Sequence, residues 1–188
     1  MRTVSPHEAV AALRTGNVAL VPTETVVGLV AAESGLLRVR KIKGREGDKP
    51  IALLCTSAEE ALGLAANVPP LAVNLTELYW PGPLTLVLDL PSGGTIGVRV
   101  PAGRAVRELL EAYGDPLYAT SANLSGEPAR AALDEVDPRV LEAVDIVVEG
   151  EKGTGEASAV VDLSEGNVRL VRAARELSAE KLARLASQ

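Results

Sequence analysis

Four polar segments of this chain carry residue types that a hydrophobic core does not need, which is how binding groups sit on a rigid scaffold. Pro22-Thr23-Glu24-Thr25 places two hydroxyls and a carboxylate directly after the apolar run Val18 to Val21. They can hold a polar ligand, or serve as turn and cap chemistry. Between Arg38 and Lys49 six residues are Lys or Arg, including Lys43, Arg45 and Lys49. That density makes either a local anion site or a solvated helix end whose cations complement the C-terminal dipole. Gly44-Arg45-Glu46-Gly47 also fits a GXXG phosphate clamp. Thr95 and Arg99 share one face of a strand, about 13 Å apart at the usual rise. Thr120-Ser121-Ala122-Asn123-Leu124-Ser125-Gly126 brings hydroxyls, an amide and backbone N–H groups together, suited to phosphate oxygens or to a turn.

Composition removes other chemistries. One His and one Cys cannot assemble a Cys/His zinc site within one chain, and exclude an intramolecular disulfide. His7 lies in Ser5-Pro6-His7-Glu8, a helix start with a capping box, so no Ser-His or Cys-His nucleophile pair is expected. Cys55 ends the run Ile51 to Leu54 and reads as a buried strand residue. Neither G-x-x-x-x-G-K-[ST] nor G-x-G-x-x-G occurs, so any nucleotide site has another design. The net charge of −6 gives no global attraction to phosphate backbones, and aromatics at 2% give no stacking platform for nucleic acid. No stretch reaches the roughly 20 apolar residues of a membrane span, and the N-terminus has no secretory pattern. These features predict a cytoplasmic protein of one domain over residues 1–188, with no membrane association.

The elements that must position these segments follow from periodicity and turn residues. Helices are expected from the Ser5 cap to about Arg14, over Leu36 to Lys43, after Ser57 with Glu60 at N3, over Leu71 to Leu78, over Arg104 to Tyr113, and after Ser178. Strands are expected at Val18 to Val21, Ile51 to Leu54, Leu84 to Leu90, Ile96 to Val100, Leu117 to Thr120, Asp145 to Val148, Ala159 to Leu163 and Val168 to Val171. The connection Pro91-Ser92-Gly93-Gly94 is too short for a helical crossover and predicts an antiparallel pair. The expected fold is therefore α/β of the α+β type, a mixed, largely antiparallel twisted sheet with flanking helices.

Taken in order, the segments form a longer pattern: Val21-Pro22-Thr23-Glu24-Thr25-Val26-Val27-Gly28-Leu29, Lys43-x-Arg45 with Lys49-Pro50-Ile51, Pro81-Gly82-Pro83-Leu84-Thr85-Leu86, Gly97-Val98-Arg99-Val100-Pro101, Ser121-Ala122-Asn123-Leu124-Ser125-Gly126 and Ser158-Ala159-Val160-Val161-Asp162. This resembles the YrdC-like family of threonylcarbamoyl-AMP synthases over nearly the whole chain. The Lys-x-Arg and Ser-x-Asn pair is that family's signature. The resemblance implies a sheet enclosing a concave ligand cavity. It also implies that threonylcarbamoyl-AMP and pyrophosphate are made from L-threonine, bicarbonate or CO2, and ATP, with Mg2+ on the phosphates and no metal ligand from the protein. The threonylcarbamoyl group would pass to a tRNA adenosine through partner proteins.

By that resemblance Lys43 and Arg45 are the catalytic cations. Lys43, Arg45, Thr95, Ser121, Asn123 and Arg172 line the ATP or adenylate side, while Thr23, Thr25, Lys49, Arg99 and Ser158 hold threonine. The fork of Arg99 suits a free carboxylate. The chain departs from the family pattern at Val27, Glu46, Leu54 and Ala159, which bears on the amino-acid pocket more than on the nucleotide site. A non-catalytic module with weak binding to double-stranded RNA or tRNA is the alternative reading. A carbamoyl-adenylate enzyme of hydrogenase maturation shares the signature but normally lies in a longer, cysteine-rich chain.

Overall fold

The computed structural model describes residues 3–44 and 51–187. In chain order the elements are β1 (Thr3–Val4), α1 (Pro6–Arg14), β2 (Val18–Val21), β3 (Gly28–Ala31), α2 (Leu36–Ile42), β4 (Ala52–Leu54), α3 (Ala58–Gly63), α4 (Pro70–Tyr79), β5 (Leu84–Asp89) and β6 (Thr95–Arg99). There follow α5 (Arg104–Tyr113), β7 (Leu117–Ser121), α6 (Pro138–Ala143), β8 (Ile146–Val148), β9 (Ala159–Asp162), β10 (Arg169–Arg172) and α7 (Ala179–Ala186). Local chemistry sets several boundaries. Ser5 and Glu8 form the reciprocal capping box of α1, with the Glu8 carboxylate accepting from Ser5 N–H at 2.8 Å. At α3 the Ser57 hydroxyl accepts from Glu60 N–H, while the Glu60 carboxylate reaches one residue further back, to Thr56 N–H at 2.7 Å.

All ten strands form one sheet in the order β1-β8-β2-β3-β7-β4-β6-β5-β9-β10. Antiparallel pairings number five (β2β3, β3β7, β4β7, β5β6, β9β10) and parallel ones four (β1β8, β2β8, β4β6, β5β9), so the sheet is mixed as expected. Three elements escape the sequence reading: β1, α6 and β3. The last is a four-residue strand buried on both sides, so it lacks the polar alternation that marks a half-buried strand.

Side-chain alternation gives the sheet two unlike faces. On one, Leu53, Leu84, Leu86, Leu88, Val98 and Val161 pack with Ala61 of α3, Leu75 of α4 and Leu182 of α7. Further along the same face Val18, Leu20, Leu29 and Val147 pack with Val39 of α2 and Val140 of α6. Each fully buried Leu or Val contributes roughly 1.5–3 kcal/mol through removal of apolar surface from water. The opposite face is covered only in part. There α1 and α5 sit on Ala19, Val21, Val30, Leu54, Leu117 and Val148 through Leu13, Val106 and Leu109. Beyond them no described helix covers the sheet, and that part floors the site.

Candidate functional site

The uncovered part of the sheet floors a cavity of about 560 Å³, within the range of small-molecule sites. Its floor is made by every second residue of successive strands: Ala119 and Ser121 of β7, Ala52 and Leu54 of β4, Gly97 and Arg99 of β6, Thr85 and Val87 of β5, and Val160 of β9. Several of these positions hold Gly, Ala or Thr where a packed sheet would hold Leu, and that deficit of side-chain volume keeps the space open. A Cβ on Gly97 would stand 3.4 Å from the Thr85 methyl carbon and 3.5 Å from the Ala52 Cβ. Walls come from the Thr23–Val26 turn, Pro101, Ala157, Ser158 and the β10 pair Val171 and Arg172. A larger cavity of about 720 Å³ lies beside it, lined by Pro6, Arg104, Glu108 and Glu149 among others. Of the candidate residues it contains only Thr23, so convergence of chemistry, not size, selects the site.

At one end Arg99 is 8% exposed and held from three directions. Nε donates to Gly82 carbonyl at 3.1 Å, and Nη2 donates to Glu24 Oε1 at 2.5 Å and to Thr25 Oγ1 at 3.1 Å. Gly82 is set by its N–H bond to Val100 carbonyl and by Trp80, whose indole N–H donates to Leu84 carbonyl. The Thr23 hydroxyl lies 2.8 Å from that of Thr25, donates to Val26 carbonyl and accepts from Thr25 and Val26 N–H groups, so it shapes the turn. Burial pushes the Glu24 carboxyl up, but the charge and hydrogen bond of Arg99 outweigh it and hold the group below its ordinary value. The fork of Arg99 is therefore occupied along its Nε–Nη2 edge, which corrects the expectation of a free two-pronged clamp. Nη1 has no partner among the described residues; since no fully buried side-chain nitrogen there lacks one, Nη1 is the accessible edge.

Hydroxyls and a second guanidinium make the adjoining wall. Thr85 Oγ1 and Ser158 Oγ are 2.9 Å apart and both buried. Arg172 donates from Nε to Ser158 carbonyl at 2.7 Å and from Nη2 to Ser158 Oγ at 3.2 Å. Its pKa is lowered, first by desolvation and then by the positive charge of Arg99. The Arg172 guanidinium, whose partners here are neutral, makes this wall favourable to an anion.

At the far end the signature pair meets in space. Lys43, in the turn after α2, is 2% exposed, and its Nζ donates to Ser121 carbonyl at 2.6 Å and to Asn123 Oδ1 at 2.9 Å. The Asn123 amide donates to Leu124 and Glu127 carbonyls, fixing the loop, and Ser121 Oγ donates to Asn123 Oδ1. Ser125 N–H closes the ring onto Lys43 carbonyl at 3.1 Å.

Of the residues singled out in sequence, Thr23, Thr25, Arg99, Ser121, Ser158 and Arg172 line the cavity. Lys43 and Asn123 stand behind Ser121. Thr95 opens β6 in an exposed position and is absent from the lining. Arg45, Glu46 and Lys49 lie outside the described residues. Among the departures from the family pattern, Leu54 reaches the cavity, whereas Val27 and Ala159 are buried in the hydrophobic clusters and do not line it. Two residues received no assigned role from the sequence: Glu24, whose carboxylate was singled out only as part of the threonine turn, and Thr85, which lay in a strand whose two-residue period puts it opposite the Leu84–Leu86–Leu88 face.

Comparison with known proteins fits this geometry. The profile of the Sua5/YciO/YrdC family, described as telomere recombination, matches residues 11–174. A threonylcarbamoyl-AMP synthase of Pyrococcus abyssi is 35% identical over 173 residues, covering 85% of this chain, which in turn spans about half (51%) of that relative. A threonylcarbamoyl-AMP synthase of Stenotrophomonas maltophilia is 33% identical over 185 residues, covering 89% of this chain and 98% of the relative. The crystal structure of P. abyssi Sua5 complexed with L-threonine superimposes with a TM-score of 0.84 at 31% identity, over 96% of this chain and 56% of that one. With the Lys43, Ser121 and Asn123 cluster assembled beside a cavity that Arg99 and Arg172 line, this chain belongs to the Sua5/YciO/YrdC family.

Proposed function

We propose that the chain is a threonylcarbamoyl-AMP synthase, joining L-threonine, bicarbonate or CO2, and ATP with release of pyrophosphate. The observation that carries this reading is the meeting of Lys43 with Ser121 and Asn123 at one end of a cavity whose other end presents Arg99. The chemistry needs no protein nucleophile. The carbamate formed on the threonine amino group is itself the attacking carboxylate: its oxygen bonds the α-phosphorus as the bond to the pyrophosphate oxygen breaks, and pyrophosphate leaves. What the protein supplies is orientation and cationic stabilisation. Arg99 Nη1 faces the amino-acid carboxylate, Ser158 and Thr85 offer hydroxyl partners for the substrate hydroxyl, Arg172 takes the phosphate side, and Lys43 holds Ser121 and Asn123 in place from behind the cavity. A site that pairs the substrate hydroxyl discriminates against analogues lacking it.

Mg2+ would be carried on the phosphates of ATP, where it would neutralise charge developing on the leaving pyrophosphate. The adenylate would pass its threonylcarbamoyl group to a tRNA adenosine with partner proteins, in the cytoplasm. No helix among the described residues is long and apolar enough to cross a membrane. The test is pyrophosphate release by the purified protein with ATP, Mg2+ and bicarbonate, run with threonine, with serine and with no amino acid. Release with threonine alone is expected; confirmed ATP binding without release under any condition would sink the reading.

A further inference from the structure

The cavity holds two arginines, and they are held by different kinds of partner. Arg172 is bonded to the carbonyl and hydroxyl of Ser158, both neutral, so neither partner offsets its charge. Arg99 is bonded to a carboxylate. Glu24 does not line the reaction cavity; it lines the neighbouring cavity of about 720 Å³ and reaches Arg99 from behind the wall between the two. It is fixed there by a second bond, Gly103 N–H to Oε2 at 2.9 Å. The approach is tight enough that a Cβ on Gly103 would stand 2.8 Å from Glu24 nitrogen, so the backbone itself dictates this placement.

We propose that Glu24 is a positioning residue that divides the cavity by charge, making Arg99 a carboxylate receptor that rejects phosphate and leaving phosphate to Arg172 on the adjoining wall. This rests on the synthase reading for what each arginine binds. The physical argument has two parts. Of the five N–H donors of a guanidinium, one from Nε and two from Nη2 already have protein acceptors, so only the Nη1 pair is open. The Glu24–Arg99 pair is also close to neutral as a unit, so a phosphate dianion at Nη1 feels little net attraction, while one carboxylate of a zwitterionic amino acid is met by a directed N–H. Arg172 has no carboxylate partner among the described residues and offers the stronger field. Without such a division, the triphosphate of ATP would compete with threonine for the same cation.

Side-chain Nε–H resonances of Arg99 and Arg172, assigned through Arg99→Lys and Arg172→Lys, report the division without requiring turnover. Inorganic phosphate should shift the Arg172 resonance of the wild-type protein and leave that of Arg99 in place; L-threonine should shift Arg99. In Glu24→Gln, phosphate should shift both, with affinity at Arg99 raised roughly tenfold or more by the uncovered charge. Glu24→Asp, which keeps the charge, should retain the wild-type phosphate pattern. Phosphate moving Arg99 in the wild type, phosphate moving neither arginine, or a folded Gln variant with an unchanged pattern would each overturn the proposal. Should the Gln variant not fold, the wild-type and Asp titrations decide. A phosphate response as proposed with no threonine response at either arginine would instead count against the synthase reading alone.

Discussion

The strands β4, β5, β6 and β9 each carry two surfaces that differ in one property, side-chain volume. One surface reads Leu53, Leu84, Leu86, Leu88, Val98 and Val161 and is buried under α3, α4 and α7. Its opposite reads Ala52, Thr85, Val87, Gly97 and Val160, interrupted by Arg99, and beyond Leu54, which packs under α5, no described helix covers it. The backbone is shared, so an unfilled surface survives because the filled one beneath it holds the sheet. The lesson is a division of labour within single strands: odd and even positions serve stability and ligand separately, and changes on the two surfaces should separate in their effects.

Truncation on the filled surface is the strongest way to sharpen that contrast. Leu86→Ala should cost about 2–5 kcal/mol in denaturant unfolding, through lost transfer energy and the void left behind, while threonine KM stays near wild type wherever the protein is folded. A KM shift matching the stability loss would break the separation. Enlargement on the open surface should do the reverse. Ala52→Leu places a branched side chain in the cavity; threonine or ATP affinity by calorimetry should fall roughly tenfold or more, with unfolding free energy changed by less than about 1 kcal/mol. The smallest effect is electrostatic. Glu24 has its carboxyl held below the ordinary 4.5 by Arg99, so between the folded and unfolded values the unfolded chain binds more protons and stability rises with pH. This contribution is complete above about pH 4.5 and fades as pH falls through the folded value; Asp162, held down by Ser164 and Arg169 against its burial, acts in the same direction. Glu24→Gln should therefore flatten, without abolishing, the acid limb of stability against pH, and a wild-type slope in that variant would place the effect elsewhere.

Much of this was legible in the sequence because local rules set it. The Ser5 capping box, the Pro91–Gly94 connection and the amphipathic α5 carry their signals within a few residues. The pairing of Lys43 with Ser121 and Asn123 was legible only through family resemblance, since nothing in spacing alone brings residues 78 and 80 positions apart into contact. What stayed hidden depends on partners distant in sequence. Strand β3 is apolar throughout because it is sandwiched, and Glu24 reads as a turn residue until Arg99 and Gly103 are seen to converge on it. The occupied edge of Arg99 was invisible for the same reason: three of its acceptors come from two separate turns, around Gly82 and Glu24.

The strand order has a kinetic consequence. Among the described strands only β2β3, β5β6 and β9β10 join strands adjacent in sequence; the other six pairings close long loops, and the site draws on β3, β4, β5, β6, β7, β9 and β10 together. Loop-closure entropy must be met before such distant pairings are rewarded, which puts this topology among the slower folders, in the range of milliseconds to seconds. A nascent chain emerging from the ribosome cannot hold Ser158 and Arg172 against Thr85 until β9 and β10 have been made. The cavity is thus completed only when the last strands have paired.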